Sequence, residues 1–335
     1  MRSQKNHRHG QTWVLWILVA GLIALGGAGC SGNSATAPRA FQAAYVTNLH
    51  SNIVSVIATA TNTVVGAVPV GTNPFCVAIT PDGSHAYVTN AGSNSVSVIA
   101  TATNTVVATV TVGTQPQGVA ITPDGSHAYV TNLSSNDVSV IATANNTIVA
   151  IVPVGSAPEL VAITPDGSHA YVADSDSADV SVIATATNTV VATVPVGTNP
   201  VGIAITPDGS RAWVTNAGSN YVSVIDTATN TVVGAVPVGS HPVGVAITPN
   251  GTYAYVANLL SNNVAVIATA TNSLVVLAPV PVGTQPELVA LTPDGSHAYV
   301  TNAGSNSVSV IATATNTVVG TVPVGIEPTG VAIQQ

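Results

Sequence analysis

The segment from Pro116 to Gly155, PQGVAITPDGSHAYVTNLSSNDVSVIATANNTIVAIVPVG, contains the pattern that decides the fold. Four short runs rich in Val, Ile, Ala, Thr and Tyr are separated by the turn sequences PDG, NLSSN and ANN. β-Branched runs bounded by Asp, Asn, Gly and Pro are typical of strands joined by tight turns. The segment therefore predicts four short antiparallel strands.

This block of about forty-two residues recurs seven times between Phe41 and Gln335. The triplet AYV marks each copy, with AWV in one of them, and successive copies are forty-two residues apart except for a last step of forty-four. Such a period with four strands is typical of a β-propeller, in which each repeat forms one blade. The triplets begin at Ala44, Ala86, Ala128, Ala170, Ala212, Ala254 and Ala298.

The two ends of the repeat region predict a closed ring. The pattern begins at Ala43–Val46, which is the second strand of a blade, and it ends at Gly330–Ile333, which is a first strand without partners. Pairing the last strand with the first three strands would complete a seventh blade and remove an open sheet edge. We therefore predict an all-β fold over residues 41–335, a seven-bladed propeller of four-stranded antiparallel blades.

The first thirty residues differ from the repeats. Three basic residues precede an apolar run, Trp13–Leu25, and small residues lead to Cys30. This order predicts a signal peptide over residues 1–29. The cysteine resembles that of a bacterial lipobox, which implies lipidation of Cys30 as the first mature residue, although Gly27 stands where that motif has Leu. Plain secretion and an uncleaved anchor are the alternatives, and residues 30–40 are predicted to be a flexible tether.

Charge limits the partners of the exported protein. A product beginning at Cys30 would keep two arginines against thirteen acids, a formal charge of −11. Nucleic acid is excluded as a partner because phosphate binding needs a basic surface. Contact with a membrane is expected only through the lipid anchor, because a negative surface disfavours anionic lipid. With Cys30 lipidated, Cys76 has no disulfide partner and is predicted to be a buried thiol.

The repeats resemble a known family. YVTN occurs in full at four positions, followed by VSVIATATN and VPVG in most blades, and these motifs are similar to those of the YVTN β-propeller repeat family. That family includes archaeal surface-layer proteins and bacterial envelope proteins, so the resemblance implies the propeller fold and a non-catalytic surface module. Its VIDTATN motif keeps the aspartate only at Asp226, because alanine stands there in the other blades. The YVTN copies begin at Tyr45, Tyr87, Tyr129 and Tyr299.

Differences between the blades indicate where a ligand would bind. The invariant PDG and TATN turns should share one face of the propeller, so the variable loops should share the opposite face, where propellers usually bind. The second residue of each first strand is predicted to line the channel mouth on that variable face. The candidate ligand residues there are Phe75, Gln117, Glu159, His241, Glu287 and Glu327.

Two further residue sets can be judged by their spacing. Blade four, counted from Ala44, carries Asp174, Asp176 and Asp179, which predict either a weak calcium site or an acidic surface loop. The histidines that follow PDGS belong to separate blades and are too far apart to share one zinc ion. No nucleophile elbow, phosphate-binding loop or dinucleotide-binding motif occurs.

The sequence supports a main function and two alternatives. Near-identical blades without a catalytic set favour a non-catalytic cell-envelope or secreted scaffold that binds an envelope protein, polymer or small ligand on its variable face, without a cofactor. The first alternative is a propeller hydrolase or lyase, similar to lactonases or streptogramin lyases. In it Glu159, Glu287 and Glu327 would hold a divalent cation such as Ca²⁺, with His241 as base. The second alternative is a self-assembling surface coat.

Overall fold

A computed structural model describes residues 42–275 and 279–335. The signal predicted over 1–29, the lipidation predicted at Cys30 and the tether predicted over 30–40 lie outside the described residues. Apart from one short 3-10 turn at Leu259–Ser261, all regular structure there is β-strand. Within the same residues, no helix is long and apolar enough to cross a membrane.

The strands form seven sheets, which are the blades of a propeller. Blades one to six begin in chain order with β4, β8, β12, β16, β20 and β25, and blade seven combines β29 with β1, β2 and β3. The first, inner strands are β4 Pro74–Ile79, β8 Pro116–Ile121, β12 Pro158–Ile163, β16 Pro200–Ile205, β20 Pro242–Ile247, β25 Pro286–Leu291 and β29 Pro328–Ile333. The second strands are β5 His85–Asn90, β9 His127–Asn132, β13 His169–Asp174, β17 Arg211–Asn216, β21 Tyr253–Asn258, β26 His297–Asn302 and β1 Ala43–Asn48. The third strands are β6 Ser95–Ala100, β10 Asp137–Ala142, β14 Asp179–Ala184, β18 Tyr221–Asp226, β22 Asn263–Ala268, β27 Ser307–Ala312 and β2 Ile53–Ala58. The outer strands are β7 Thr105–Thr111, β11 Thr147–Pro153, β15 Thr189–Pro195, β19 Thr231–Pro237, β28 Thr317–Pro323 and β3 Thr63–Pro69, with β23 Ser273–Leu274 and β24 Val280–Pro281 in blade five.

Blade five explains the one irregular repeat. Its outer edge consists of β23 and β24, which pair separately with β22, instead of one seven-residue strand. The two residues that lengthen this repeat to forty-four lie between Ser273 and Pro281. The inner strand of this blade, β20, keeps the six residues of the other inner strands.

The predicted closure of the ring is confirmed. The last strand, β29, pairs antiparallel with the first, β1, so that Ala44 lies opposite Ile333 and Tyr45 opposite Ala332. Each inner strand also lies beside the inner strands of the two neighbouring blades, and β29 lies beside β4 as well as β25. The seven inner strands thus form an unbroken ring.

The core lies between blades. Tyr129 of blade two, for example, packs against Val161, Val172 and Ile183 of blade three. Burying these apolar side chains at each blade junction is the main source of stability for the ring. Cys76 lies in the same kind of layer as a free, buried thiol, as predicted, and burial raises its pKa, which keeps it unreactive.

Hydrogen bonds confirm the two faces that the sequence predicts. The TATN turn bonds to the PDG turn of its own blade, as in the 3.0 Å bond from the Thr101 amide to the Ser84 carbonyl. The opposite loops also meet each other, as in the 2.9 Å bond from the Leu49 amide to the Glu327 carbonyl. We call the side with turns such as 81–84 and 101–104 the turn face, and the side with loops such as 49–52 and 325–327 the mouth face.

Candidate functional site

The second residue of every inner strand lies at a β-bulge. In blade three the register of β12 against β13 shifts between Pro158 and Val161, so Glu159 and Leu160 leave the regular ladder. A bulge of this kind re-aims the side chains it carries, and all seven blades have it. The seven residues at this position are Phe75, Gln117, Glu159, Val201, Val243, Glu287 and Thr329.

A buried threonine of the preceding blade fixes five of the seven bulges. The Thr131 hydroxyl accepts a 2.8 Å hydrogen bond from the Gly118 amide of its own blade and donates to the Glu159 carbonyl of the next. We call this arrangement the threonine clasp. It is absent in front of Val201 and Glu287, because blades three and five have Ala173 and Ala257 at the equivalent position. The other clasp threonines are Thr47, Thr89, Thr215 and Thr301.

Glu159 and Glu287 are the two acids of this ring, and neither carboxylate accepts a hydrogen bond or forms an ion pair within the described residues. Desolvation by the surrounding protein, followed by repulsion from Asp176, raises the pKa of Glu159 to about 7. Desolvation, followed by repulsion from Glu327 and Glu159, raises the pKa of Glu287 to about 7. Both side chains keep partial contact with water, so they remain reachable by a ligand.

These pKa values have a chemical consequence. A carboxyl group with a pKa near 7 is present in both its protonated and its ionised form at neutral pH. It can therefore give or take a proton there, whereas an ordinary surface glutamate is fully ionised. Groups perturbed in this way and left without a structural partner are typical of functional sites.

Glu327 has a partner that the sequence did not reveal. Its Oε2 lies 2.5 Å from Nδ1 of His50, in a loop from the other end of the chain. Its backbone is left-handed, with φ of 56°, and its amide donates a 2.8 Å hydrogen bond to Oδ1 of Asn306. Ring closure brings these loops together, so His50 lies against the third acid of the mouth face.

His241 occupies the position in blade five that Glu327 occupies in blade seven. Its backbone is also left-handed, with φ of 56°, and its amide donates a 2.8 Å hydrogen bond to Oδ1 of Asn220. No hydrogen bond or ion pair joins its ring to Glu159 or Glu287 within the described residues. The role of His241 as a base therefore stays a prediction, with no direct pairing to either glutamate within the described residues.

Phe75 and Gln117 contribute to a cavity of about 510 Å³ on the mouth face, with Leu49 and Thr114 among its other lining residues. The Gln117 side chain is buried, and its Oε1 has no hydrogen-bond partner within the described residues. A buried carbonyl oxygen without a donor is costly unless water or a ligand supplies one. This cavity is the second part of the candidate site.

The three aspartates belong to blade three and not to blade four, because β12 pairs with β13 and β13 with β14. Counting from Ala44 had separated them from Glu159. Asp174 is fully buried, and its Oδ2 accepts bonds from the Ser181 amide and hydroxyl at 3.1 and 2.6 Å. Burial, followed by the negative charge of Asp179, raises the pKa of Asp174 to about 7, so this buried pair holds a proton.

The predicted cation sites are not assembled. Across residues 42–275 and 279–335, no three His, Cys, Asp or Glu side chains are arranged to hold a metal ion. Asp174 is committed to Ser181, and Glu327 to His50. The residues present at the mouth face therefore do not fit a divalent cation as the centre of the site.

Sequence comparison places the chain in a family. The sequence model of the seven-bladed lactonase propellers matches residues 77–194, 150–278 and 203–333, which together span most of the chain. The chain belongs to the seven-bladed lactonase family. The model of YNCE-like β-propellers also matches, over residues 21–125. No curated protein matches the sequence.

Solved structures show that this lactonase-family fold is widespread. The hydrazine synthase of Kuenenia stuttgartiensis is 28% identical with a TM-score of 0.74, over 81% of this chain and 92% of that one. A protein of unknown function from Desulfotomaculum acetoxidans is 22% identical with a TM-score of 0.77, over 87% and 98%. A candidate 6-phosphogluconolactonase from Bacteroides fragilis is 17% identical with a TM-score of 0.75, over 89% and 100%.

Membership of the lactonase family corrects the main functional prediction. Repetition and the absence of a familiar catalytic motif favoured a non-catalytic scaffold, but the family match favours an enzymatic propeller. The prediction was wrong because it gave the near-identical blades and the missing motifs more weight than the acids Glu159 and Glu287, which the enzymatic alternative already contained. Here the ionisable residues Glu159 and Glu287 come from different blades, and only the closed ring brings them to one channel mouth.

Proposed function

We propose that this lactonase-family protein is a hydrolase that opens a lactone, with Glu159 and Glu287 as its acid–base pair. The observation that supports this most strongly is the unpaired state of both carboxyl groups, each with a pKa of about 7. Because the Glu159 carboxylate contributes to the raised pKa of Glu287, one ionised and one protonated group is the favoured state near pH 7.

The pair can supply both proton transfers of ester hydrolysis. The ionised glutamate takes a proton from water, and the resulting hydroxide oxygen bonds to the lactone carbonyl carbon. As the tetrahedral intermediate collapses, the bond from that carbon to the ring oxygen breaks, and the protonated glutamate gives its proton to the ring oxygen. The product is a hydroxy acid, and the two glutamates have exchanged roles. No step passes through a metal ion, since the residues do not fit one.

The charge of the mouth face favours an uncharged lactone. Glu159, Glu287 and Glu327 lie around it, and His50 is the one side chain paired with any of them within the described part of the chain. A phosphorylated sugar lactone carries negative charge and would be repelled by these carboxylates. We therefore expect glucono-δ-lactone to be a better substrate than 6-phosphogluconolactone. The cavity beside Phe75 and Gln117 would hold the remainder of the ligand.

The test is a pH-stat assay with glucono-δ-lactone and 6-phosphogluconolactone as substrates. We expect measurable hydrolysis of the uncharged lactone and a fall in kcat of about 100-fold or more in Glu159→Gln and in Glu287→Gln, because each variant lacks one proton carrier. Hydrolysis at the spontaneous rate by the wild-type protein would rule the proposal out for these substrates.

Asp166→Asn is the matched control. It removes one carboxylate from the turn face. The Asp166 side chain accepts a hydrogen bond from the Ser168 amide, and in blade five Asn250 accepts the equivalent bond. The kcat of Asp166→Asn should stay within about twofold of wild type, since it lies far from the reacting groups. An equal loss of activity in all three variants would mean that net charge, and not an acid–base pair, controls the rate.

We also propose that the protein is exported and anchored by a lipid on Cys30. The basic start, the apolar run and the small residues before Cys30 support export, and the likeness to YVTN-repeat proteins of the envelope supports this location. Metabolic labelling with an alkyne fatty acid should mark the wild-type protein and leave Cys30→Ser unlabelled. A labelled Cys30→Ser variant, or an unlabelled wild type in the envelope fraction, would contradict the anchor.

A further inference from the structure

Grooves on the turn face lie at three of the junctions between blades. Each is lined by the PDG turn and second strand of one blade and by the turns of the next. The grooves between blades one and two and between blades two and three enclose about 450 and 510 Å³. The groove between blades four and five encloses about 780 Å³. The groove between blades four and five is therefore larger than the other two.

The substitution that distinguishes this junction is Trp213. In the other six blades the equivalent tyrosine hydroxyl donates to an asparagine of the next blade, as in the 2.6 Å bond from Tyr129 to Asn188. Trp213 is fully buried and lines the groove, and its Nε1 has no hydrogen-bond acceptor within the described residues. The would-be partner, Asn272, also lines the groove, and its side chain makes no hydrogen bond there.

The charge of this groove differs from that of its equivalents. The groove of blades one and two contains the acids Asp82 and Asp124. In the groove of blades four and five Asn250 replaces the second acid, and Arg211 stands where the other blade has histidine. Arg211 Nη1 bonds to Asp226 at 2.5 Å and to the Ser210 carbonyl at 2.9 Å, while its Nε and Nη2 make no hydrogen bond within the described residues. The lining is close to electrically neutral and offers both donors and acceptors.

We propose that this groove, lined by Arg211, Trp213, Asn250 and Asn272, binds a neutral polyhydroxylated ligand such as a sugar. A buried indole N–H and a free amide need an acceptor and a donor, and a hydroxyl group provides both. A carboxylate or phosphate is disfavoured by Asp208 and Asp226, and a cation is disfavoured by Arg211. The site lies on the turn face and is separate from the proposed lactonase site.

The test is isothermal titration calorimetry of the full chain with N-acetylglucosamine, galactose and maltose, and with gluconate as the anionic counterpart. We expect at least one neutral sugar to bind with a Kd in the millimolar range or below, and gluconate to bind at least about tenfold more weakly. Fluorescence supplies a local readout, because Trp213 is the one tryptophan of the repeat region. Trp13 and Trp16 remain in every variant and cancel in difference spectra.

Trp213→Tyr tests the orphaned indole. It recreates the tyrosine of the other six blades, whose hydroxyl would reach Asn272, so the propeller should fold while sugar affinity falls by about tenfold or more. Arg211→His recreates the residue of four other blades and should weaken sugar binding as well. Tyr129→Phe is the matched control, since it removes an inter-blade bond at another junction and should leave the Kd unchanged.

Three results would overturn the proposal. One is the absence of heat and of fluorescence change with all three neutral sugars at concentrations of about 20 mM, which would mean that water alone satisfies the indole. Another is an unchanged Kd in Trp213→Tyr, which would place sugar binding elsewhere. The third is tighter binding of gluconate than of any neutral sugar, which would make the groove an anion site.

Discussion

The acidic residues of the two faces differ in their hydrogen-bond donors and, as a result, in their pKa values. On the turn face the Asp82 carboxylate accepts bonds from Thr80 and Ser84 at 2.6 to 3.0 Å, and these bonds lower its pKa to about 2. Asp124 and Asp166 behave in the same way in their blades. On the mouth face Glu159 has no such donors, and desolvation raises its pKa to about 7.

The difference teaches how a repeat protein acquires a function. An acid surrounded by hydrogen-bond donors is locked in its ionised form and serves the turn that it caps. An acid surrounded by protein without donors changes its protonation near pH 7 and is free to act on a ligand. The repeated positions supply the first kind, and the positions that vary between blades supply the second.

The largest expected effect is the pH dependence of lactone hydrolysis. If Glu159 and Glu287 act as base and acid with pKa values near 7, kcat/KM should form a bell centred near pH 7 and fall about tenfold per pH unit on either side. In Glu287→Gln the profile of kcat/KM against pH should keep only one of its two slopes, at a reduced rate. Initial rates from pH 5 to 9 provide the measurement, and a flat wild-type profile would break the contrast between the faces.

The second effect is a pH-dependent change in the free energy of unfolding of Asp174→Asn. The folded protein holds a proton on Asp174 up to about pH 7, whereas the unfolded chain releases it near its ordinary pKa of 3.8. Because the folded protein binds this proton and the unfolded chain has released it, the free energy of unfolding falls as pH rises from about 4 to 7. Asp174→Asn should therefore raise the free energy of unfolding by up to about 4 kcal/mol at pH 8 and change it little at pH 4.

The reciprocal substitution is the control for that prediction. In blade two, Asn132 donates a 2.6 Å bond to Asp137 at the positions equivalent to Asp174 and Asp179. Asn132→Asp should create a second acid pair and destabilise the protein at pH 8 and not at pH 4. Urea titrations at both pH values measure each change, and equal stability of Asp174→Asn and wild type at pH 8 would show that folding does not raise the pKa of Asp174.

The third effect concerns the threonine clasp on the mouth face. Thr131→Val keeps the shape of the side chain but leaves the Gly118 amide without its acceptor and the Glu159 carbonyl without its donor. We expect a loss of about 2 kcal/mol in the free energy of unfolding. Ala257→Thr should restore the clasp before Glu287 and stabilise by less than about 1 kcal/mol. Destabilisation in both variants would show that this layer depends on packing alone.

The smallest effect belongs to the turn face. The pKa of Asp82 lies below its unfolded value, so its contribution is present above about pH 4 and is lost as pH falls towards 2. The side chain is exposed, so solvent screening limits this contribution. Asp82→Asn, which copies Asn250 of blade five, should therefore cost less than about 1 kcal/mol at pH 7 and nothing at pH 2. A cost equal to that of Thr131→Val would mean that the turn acids matter more than their exposure allows.

Much of the fold could be predicted, because each blade repeats the same local rules. Turn residues and alternating β-branched residues specify a blade without reference to distant parts of the chain, and the strand left over at Gly330–Ile333 specifies closure. Glu159 and Glu287 could be singled out by comparison between blades. Their lack of donors, the pairing of Glu327 with His50 and the orphaned Nε1 of Trp213 depend on contacts between residues far apart in sequence.

The sequence by itself determined the number of blades, their four strands and the face on which the blades differ, since these follow from short-range periodicity and turn chemistry. Only the tertiary structure decided which acids keep their ordinary charge and which hold a proton at neutral pH. The physical reason is that a pKa depends on the donors, charges and water within a few ångströms of the group, and in a closed ring those neighbours come from other blades.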